Sequence, residues 1–447
     1  MVFTKVEEAT YWLLNQINPL PRPNMKKMYQ ALEQVGNPHL GLKVLHITGT
    51  NGKGSTVAYL RQLLASQDLK VGSFTSPHIE RFNERITFDG QQISDQDLLR
   101  LTNRLVDLND YMEENSPWGK LIYFELFTIM MCLYFQEKEP DVCLIEAGIG
   151  GMSDCTNILD GEVAVISSIA LDHADLLGDT FEAVALEKAG IIKSGKRVVT
   201  GKIEASPLAV IDKWAQARQA QHDQYGQAYQ ISQVDRKGAQ GSQYVFSSQD
   251  LGESQLDVKI NMLGDHQIRN SALAIQAFIA WMDHIGQDID WSKALTALGQ
   301  TSWIGRLERL SEAPYIYVDG AHNMEGLTAL KKVVQDNLAG YQITIIYGGL
   351  KKKNQAEQVP LLLTYQAQEV CLTSFNHFES MQEEDFSTIL EDLEEKPKNR
   401  VRFVADWREW IDQYQANHQG EEDSLLLITG SLYFVSEARS YLMDKIK

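Results

Sequence analysis

A glycine-rich stretch near the start of the chain combines the residue types that bind phosphate. It reads TGTNGKGS over residues 48–55, and Gly54 separates Lys53 from Ser55, whereas a P-loop usually has a hydroxyl directly after the lysine. Three glycines with positive φ can expose N–H groups to phosphate, a helix starting near Ser55 can point its positive end there, and Lys53 adds a mobile charge. We predict a nucleotide site; the alternative is a glycine-rich turn with an incidental lysine. The residues predicted to contact the nucleotide are Gly49, Thr50, Asn51, Gly52, Lys53, Gly54, Ser55 and Thr56.

Acidic residues and a histidine follow two other apolar segments. Glu146 ends DVCLIE and meets the glycine turn GIGG, while Asp172 and His173 follow VAVISSIAL. If both segments are parallel strands, their carboxyl ends meet at the sheet edge where ligands bind. Glu146 is predicted to bind Mg²⁺, which prefers oxygen ligands, and the alternative is that it caps the turn. Imidazole is an unusual ligand for Mg²⁺, so the residues alone leave His173 either structural or metal-binding.

Three further motifs, two of them in the predicted second domain or at its junction, contain residues that could take part in the chemistry. Arg306, in WIGRLE, lies at a predicted domain junction, where a guanidinium can clamp phosphate; a surface arginine in a linker is the alternative. The motif VDGAHN places Asp319 and His322 after an apolar segment, although a plain Asp-Gly turn would read the same. Lys188, in EKAGIIK, lies in a predicted helix, where a lysine is ordinarily solvated.

The elements that must position these residues indicate an α/β fold. Apolar segments such as KVLHIT and DVCLIEAG alternate with amphipathic ones, which predicts a P-loop-containing, mainly parallel sheet domain. Short alternating segments between about 225 and 262 predict a small β-rich patch within it. From TSWIGRLERL onward the same alternation returns, which predicts a smaller Rossmann-like α/β domain. The predicted boundaries are 1–300 for the ATP-binding domain and 301–447 for the second domain.

Composition excludes several classes of partner. The 447 residues exceed one ordinary core, and a net charge of −19 disfavours nucleic acid and anionic lipid as partners. The longest apolar stretch, 121–135, is too short for a membrane span and contains Glu125, so we predict a buried helix. The N-terminus shows no export signal, and four scattered cysteines indicate reduced thiols, so we expect a cytoplasmic protein. Those cysteines are Cys132, Cys143, Cys155 and Cys371.

An ordered set of motifs is more specific than the loop alone. The loop is followed along the chain by TSPH, FNERI, EAGIGG, ALDH, EKAGIIK, GDHQIRN, GRLE, DGAHN and ITGS. This set, from about residue 40 to 435, resembles the folylpolyglutamate synthase and dihydrofolate synthase family of the Mur ligase superfamily. The resemblance implies an ATP-binding domain that also carries the folate site, followed by a glutamate-ligase domain. It also implies ATP and Mg²⁺ as cofactors and a reduced folate and L-glutamate as substrates.

The resemblance also implies roles for single residues. It assigns Ser76, Glu146 and His173 to Mg²⁺, with Asp172 as a supporting partner, and it implies that Lys188 is carbamylated by CO₂. It assigns Asn270 and Asp319 to the nucleotide, beside the phosphate contact predicted above for Arg306, and it places His322 opposite the reacting groups. We predict Lys53, Lys188 and His322 as the catalytic set. The stretch IYFE matches one that contacts dihydropteroate in two-function members, although an ordinary buried helix start would read the same. Its residues are Ile122, Tyr123, Phe124 and Glu125.

The reaction that follows from the resemblance is amide formation driven by ATP. The γ-phosphate would pass to the γ-carboxylate of a folate's glutamate, and the amine of L-glutamate would attack the resulting acyl phosphate. TSPH and IYFE favour an additional dihydrofolate synthase activity on dihydropteroate, which the sequence leaves open. We expect a monomer, because the cleft would lie between domains of one chain.

Three other functions fit parts of the sequence. Another Mur-type amino acid ligase would share the loop but not TSPH and FNERI. A P-loop nucleotide switch that hydrolyses ATP without ligation would not need a second domain carrying DGAHN. A catalytically inactive binding module would not need every chemical position to be filled.

Overall fold

The computed structural model describes residues 2–16, 24–78, 81–172, 174–353, 355–391 and 400–446. His173, one of the residues predicted to bind metal, lies outside the described residues. The chain folds into two compact units. The first comprises Met1–Gln233, Tyr244–Val258 and His266–Gly299. The second comprises Val234–Gln243, Lys259–Asp265 and Gln300–Lys447.

The first unit is built on an eight-stranded sheet. Its strands are β1 (Val44–Thr48), β2 (Val71–Phe74), β3 (Ile86–Phe88), β4 (Gln91–Gln92), β5 (Val142–Glu146), β6 (Gly161–Ile166), β7 (Arg197–Thr200) and β8 (Gln221–Gln224). They lie in the order β4-β3-β2-β5-β1-β6-β7-β8. Strands β2, β5, β1, β6, β7 and β8 pair in parallel, and β3 and β4 extend the sheet antiparallel at one edge. The mainly parallel sheet predicted from the apolar segments is therefore confirmed.

Helices cover this sheet and complete its core. They are α1 (Val6–Leu14), α2 (Met25–Gln34), α3 (Lys53–Ala65), α4 (Asp95–Asn115), α5 (Tyr123–Lys138), α6 (Ala174–Leu177), α7 (Phe181–Ala189), α8 (Ala205–Ala217), α9 (Asp265–Ile285) and α10 (Trp291–Gly299). Helix α5 is the predicted buried helix, and its residues 125–135 are all buried. A helix that is apolar on every face is stable only inside a core, and α5 packs with α1 and α4 in one large apolar cluster.

The predicted β-rich patch is a three-stranded sheet of β9 (Tyr229–Arg236), β10 (Ser242–Ser248) and β11 (Gln255–Ile260), in the order β11-β10-β9. Strand β10 alternates buried and half-buried residues along its length, as expected for a strand with one covered face.

The second unit carries a six-stranded sheet. Its strands are β12 (Glu308–Glu312), β13 (Tyr315–Asp319), β14 (Gln342–Gly348), β15 (Glu369–Thr373), β16 (Val401–Val404) and β17 (Ser424–Gly430). The order is β12-β13-β17-β14-β15-β16, with only β12 antiparallel to its neighbour. Its helices are α11 (Met324–Asn337), α12 (Gln355–Leu363), α13 (Glu383–Glu391), α14 (Trp407–Asn417) and α15 (Leu432–Ile446). The second α/β unit that the sequence predicted is confirmed.

Among the described residues, no helix combines the length and the apolar character needed to cross a membrane.

Candidate active site

The predicted phosphate loop connects β1 to α3 at the carboxyl edge of the first sheet. Gly52 caps α3 with a left-handed backbone, at φ 86°, and Gly49 has φ 153°. A Cβ at Gly49 would lie 1.9 Å from the Ser167 hydroxyl oxygen, so only glycine fits there. The helix begins at Lys53, two residues before the predicted start near Ser55. Gly54 is therefore helical, and the prediction of positive φ at Gly54 was wrong.

The segment after β6 holds this loop in shape. The hydroxyl groups of Ser167 and Ser168 donate to the Asn51 carbonyl at 2.7 and 3.0 Å. The Asn51 N–H donates to the Ser168 hydroxyl at 2.9 Å, and the Thr50 N–H donates to the Ser168 carbonyl at 3.0 Å. The Thr50 hydroxyl reaches the Ala170 carbonyl at 3.1 Å. These contacts fix the loop backbone before any ligand binds.

Lys53 and helix α9 complete the surroundings of the loop. The Lys53 ammonium donates to the carbonyls of Gly49 and Thr50 at 2.9 and 3.4 Å, so it folds over the loop. The Gln267 amide donates to the Ser55 hydroxyl at 3.1 Å and accepts from the Asn270 amide at 3.3 Å. The structure therefore brings Asn270, a predicted nucleotide contact, to the phosphate loop.

We expect the variant Gly52→Ala to lose nucleotide binding while the variant Gly90→Ala keeps it. Both glycines have left-handed backbones, at φ 86° and 75°, so both substitutions introduce a similar local strain of about 1 kcal/mol. A Cβ at Gly52 would also lie 2.5 Å from the Asn270 side-chain oxygen, whereas nothing lies within 4 Å of a Cβ at Gly90. The measurement is ATP affinity by calorimetry together with the unfolding temperature. Equal losses of ATP affinity in the two variants would contradict the structural account of the loop.

Lys188 is a buried lysine near the end of α7, with 3% of its surface exposed. Burial and, to a smaller extent, the positive charge of Lys53 together lower its pKa to about 7, against the opposing charges of Asp172, Asp154 and Glu187. The ordinary interpretation of a solvated helical lysine is therefore wrong for Lys188. A lysine with this pKa is partly neutral at physiological pH, and a neutral amine is a nucleophile.

Glu146 and Ser76 meet where β5 ends and the chain leaves β2. Glu146 is 3% exposed, and one oxygen of its carboxylate accepts from the Ser76 N–H at 3.3 Å. Within the part of the chain that the structure describes, no three His, Cys, Asp or Glu side chains form a group that could hold a metal ion. His173 lies outside that part. The structure thus brings two of the three predicted metal ligands together and does not place the third.

An arginine that the sequence analysis had not singled out lies beside Glu146. Arg85 is 9% exposed, and its guanidinium carbon lies 5.6 Å from the ring centroids of both Phe82 and Tyr123. Its Nε donates to His78 Nδ1 at 2.8 Å. Burial lowers the pKa of Arg85, and nearby groups that include Glu146 oppose this shift. The Tyr123 hydroxyl is buried and has no hydrogen-bond partner among the described residues. The motif FNERI could have pointed to Arg85, because it contains both an aromatic residue, Phe82, and the arginine itself.

The IYFE stretch begins helix α5, and its four residues have different surroundings. Ile122, Tyr123 and Phe124 are half-buried, and the Tyr123 ring joins the Arg85 cluster. Glu125 is fully buried, accepts from the Ile122 N–H at 2.9 Å and forms an ion pair with Lys27 at 2.6 Å. This gives the Glu125 carboxylate a structural partner at the start of α5.

We expect Lys27→Met to destabilise the protein by about 3 kcal/mol, because it leaves the buried Glu125 carboxylate without its cation. Lys26→Met, at the exposed neighbouring position, is the matched control and should change the free energy of unfolding by less than about 0.5 kcal/mol. Both values are measured by denaturant unfolding. If Glu125 instead contacts the substrate, Lys27→Met would chiefly alter the KM for that substrate.

The predicted residues of the second unit lie on two turns that touch each other. Asp319 ends β13 and accepts from the Ala321 and Leu307 N–H groups at 2.9 and 2.8 Å. Burial raises the pKa of Asp319, and the positive charge of Arg306 opposes the shift. His322 Nδ1 lies 2.8 Å from the Gly320 carbonyl, so Nδ1 carries the proton and Nε2 is left as an acceptor when the ring is neutral.

Comparison with known proteins gives matches over nearly the whole chain. The model of the Mur ligase middle domain matches residues 123–278, and that of the Mur ligase glutamate ligase domain matches residues 305–432. A dihydrofolate synthase/folylpolyglutamate synthase of Bacillus subtilis (strain 168) is 32% identical over 99% of this chain and 100% of its own length. The apo form of L. casei FPGS is 28% identical, with a TM-score of 0.82 over 98% of this chain and all of the other. A structure of an FPGS-AMPPCP-folate complex is 28% identical, with a TM-score of 0.77 over the same shares.

Proposed function

Because the chain belongs to the folylpolyglutamate synthase and dihydrofolate synthase family of Mur ligases, we propose that its phosphate loop activates a folate carboxylate for attack by L-glutamate. The protein is an ATP-dependent ligase that adds glutamate to folate. The observation that carries the proposal is the phosphate loop, over which Lys53 is folded. The buried Lys188 lies close enough for the positive charge of Lys53 to lower its pKa.

A carboxylate resists attack by an amine, so its oxygen must first become part of a leaving group. We propose that the terminal phosphoryl group of ATP moves to the γ-carboxylate, which gives an acyl phosphate and ADP. The amine of L-glutamate then forms the C–N bond, loses a proton and expels phosphate from the tetrahedral intermediate. The loop N–H groups, Lys53 and the α3 N-terminus stabilise the charge that develops on the transferred phosphoryl group.

The residues present suit a magnesium ion. The Glu146 carboxylate and the Ser76 hydroxyl offer the oxygen donors that Mg²⁺ prefers, and their residues are adjacent in the structure. We propose that they hold Mg²⁺ together with His173, which the family resemblance assigns. Bound there, the ion supplies positive charge against the phosphates of ATP.

We also propose that Lys188 is carbamylated. The ammonium group first loses a proton to become the neutral amine, and addition of CO₂ to that amine forms an N–C bond and releases a second proton, so that a cation becomes an anion. The burial of Lys188 and its lowered pKa of about 7 support this, because they favour the neutral amine. The resulting carboxylate-like group would help to orient the metal.

The remaining assignments concern substrates. We propose that the rings of Phe82 and Tyr123, with Arg85, bind the flat pterin system, and that the unpartnered Tyr123 hydroxyl bonds to it. We propose nucleotide contacts for Asn270, Arg306 and Asp319. His322 is proposed to orient the reacting groups through Nε2, the ring atom that its hydrogen bond leaves as an acceptor.

The proposal also covers the domain organisation, the oligomeric state, the cellular location and the substrates. We propose an ATP-binding domain with the folate site over residues 1–300 and a glutamate-ligase domain over residues 301–447. We propose a monomer that acts in the cytoplasm, where ATP is available and where thiols such as the four free cysteines stay reduced. Reduced folate is the proposed substrate, and dihydropteroate a second one.

The test is phosphate release by the purified protein with Mg·ATP and L-glutamate. It is run with a reduced folate, with dihydropteroate and with neither, and the masses of the products are measured by mass spectrometry. We expect release that requires folate, with glutamate-sized additions to it, and product from dihydropteroate as well. Release that ignores both acceptors, without a ligated product, would instead support a nucleotide switch.

A further inference from the structure

The turn that carries Arg306 has an unusual backbone. Gly305 has φ 65° and Leu307 has φ 42°, so left-handed residues flank the exposed arginine on both sides. A left-handed conformation is costly for leucine, which has a side chain at Cβ, and such a residue persists only where its surroundings enforce it. The contacts that enforce this turn therefore also set the direction in which Arg306 leaves the backbone.

Besides the hydrogen bond from the Arg306 N–H to the Trp303 carbonyl at 3.2 Å, three hydrogen bonds with Asp319, Gly320 and Glu308 hold the turn. The Leu307 N–H donates to Asp319 at 2.8 Å, and the Gly320 N–H donates to the Gly305 carbonyl at 2.8 Å. The Gly305 N–H donates to the Glu308 carboxylate at 3.0 Å. Asp319 is already proposed to contact the nucleotide, whereas Glu308 has no proposed role so far.

The Glu308 side chain is itself held in place by a residue that is far away in the sequence. Arg439, on α15, donates from Nε to Oε2 and from Nη2 to Oε1 of Glu308, both at 2.8 Å. The two side chains are only 14% and 8% exposed. A bidentate pair of this kind orients the carboxylate plane, and the same Oε2 accepts the Gly305 N–H.

We propose that Arg439 is a positioning residue for the ligation reaction, acting through Glu308 on the Arg306 turn. The inference rests on the phosphate-clamping role proposed for Arg306. Loss of Arg439 would free the Glu308 carboxylate to turn, which would release the Gly305 N–H and let the strained turn relax. Arg306 would then be misplaced in the transition state, so kcat falls while the KM values for ATP and folate stay within about twofold.

A double-mutant cycle tests the proposal in the full-length protein. Arg439→Ala, Arg306→Ala and the double variant are compared with the unaltered chain in folate-dependent phosphate release. We expect Arg439→Ala to lower kcat by about tenfold to a hundredfold, and Arg306→Ala by at least as much. In the Arg306→Ala background, Arg439→Ala should change kcat by less than about twofold, because it acts through the residue already removed.

Two further variants separate positioning from folding. Arg408 also pairs with a glutamate of α15, Glu437, but 48% of the Arg408 side chain is exposed. The control variant Arg408→Ala should therefore leave kcat unchanged. Arg439→Lys keeps the charge but not the bidentate geometry, and should lower kcat partially at an unchanged unfolding temperature. Equal kcat losses from Arg439→Ala in both backgrounds, or an Arg306→Ala variant with unaltered kcat, would overturn the proposal. An unaltered chain without folate-dependent release would overturn the ligase assignment itself, and the positioning role with it.

Discussion

The variant Lys188→Arg is expected to lose ligase activity by about a hundredfold or more while remaining folded. Arginine keeps a positive charge in the same buried place but does not react with CO₂, so the anion proposed at this position cannot form. The measurement is folate-dependent phosphate release, with the unfolding temperature recorded alongside. Lys193→Arg is the matched control, because Lys193 belongs to the same motif but donates to the Asn157 carbonyl and side-chain oxygens at 3.1 Å.

The pH dependence of carbamylation gives a second measurement on Lys188. Its pKa is lowered to about 7, so the amine is mostly charged at pH 6 and mostly neutral at pH 8. Only the neutral amine adds CO₂, and the carbamate signal from ¹³C-labelled bicarbonate should therefore rise between these pH values. A lysine of ordinary pKa would be less than about 1% neutral even at pH 8. An active enzyme without any carbamate signal across this range would exclude the modification.

The variant Lys53→Met is expected to lower kcat/KM by about a hundredfold to a thousandfold, because it removes a positive charge that stabilises the transferred phosphoryl group. The loop itself should keep its shape, since Ser167 and Ser168 hold the Asn51 carbonyl without help from the lysine. The exposed Lys70, replaced by methionine in the same way, is the control for loss of a charge.

Lys53→Met should also act on Lys188. The charge of Lys53 contributes to lowering the pKa of Lys188, so its removal raises that pKa and reduces the neutral amine at neutral pH. The carbamate signal at pH 7 should therefore be weaker in Lys53→Met than in the unaltered protein. If the variant loses activity but its carbamate signal is undiminished, the role of Lys53 in stabilising the phosphoryl group would stand. The proposed effect of Lys53 on the pKa of Lys188 would be contradicted.

Local patterns predicted the fold well where apolar residues were concentrated in continuous segments. Helix α5 was predicted from its apolar stretch, and the parallel strands from their buried segments. Strand β8 was missed because its sequence, QHDQ, is polar, as a strand at the edge of a sheet can be. The start of α3 was placed two residues late, because a positive φ at Gly54 was expected from its residue type. The cap is Gly52, and only the folded backbone shows which glycine serves this role.

Candidate site residues could be predicted where the chemistry depends on residues that lie close together in the sequence. The loop residues and Glu146 follow from the sequence pattern, whereas the role of Lys188 follows only from the family resemblance, since a lysine in a predicted helix is ordinarily solvated. Arg85 and Arg439 were not singled out, because their significance lies in partners that the fold supplies. Arg439 meets Glu308 across 131 positions of sequence, and no spacing rule spans that distance. Pairing of this kind is fixed by the second sheet and α15.

The most direct test of the account follows oxygen atoms through the reaction. A reduced folate labelled with ¹⁸O in both carboxylates of its glutamate is incubated with the protein, Mg·ATP and L-glutamate, and the released phosphate is weighed. The account predicts one ¹⁸O in each phosphate released, because the acyl phosphate passes a carboxylate oxygen to its leaving group. Unlabelled phosphate, or phosphate released equally without folate, would contradict ligation through an acyl phosphate.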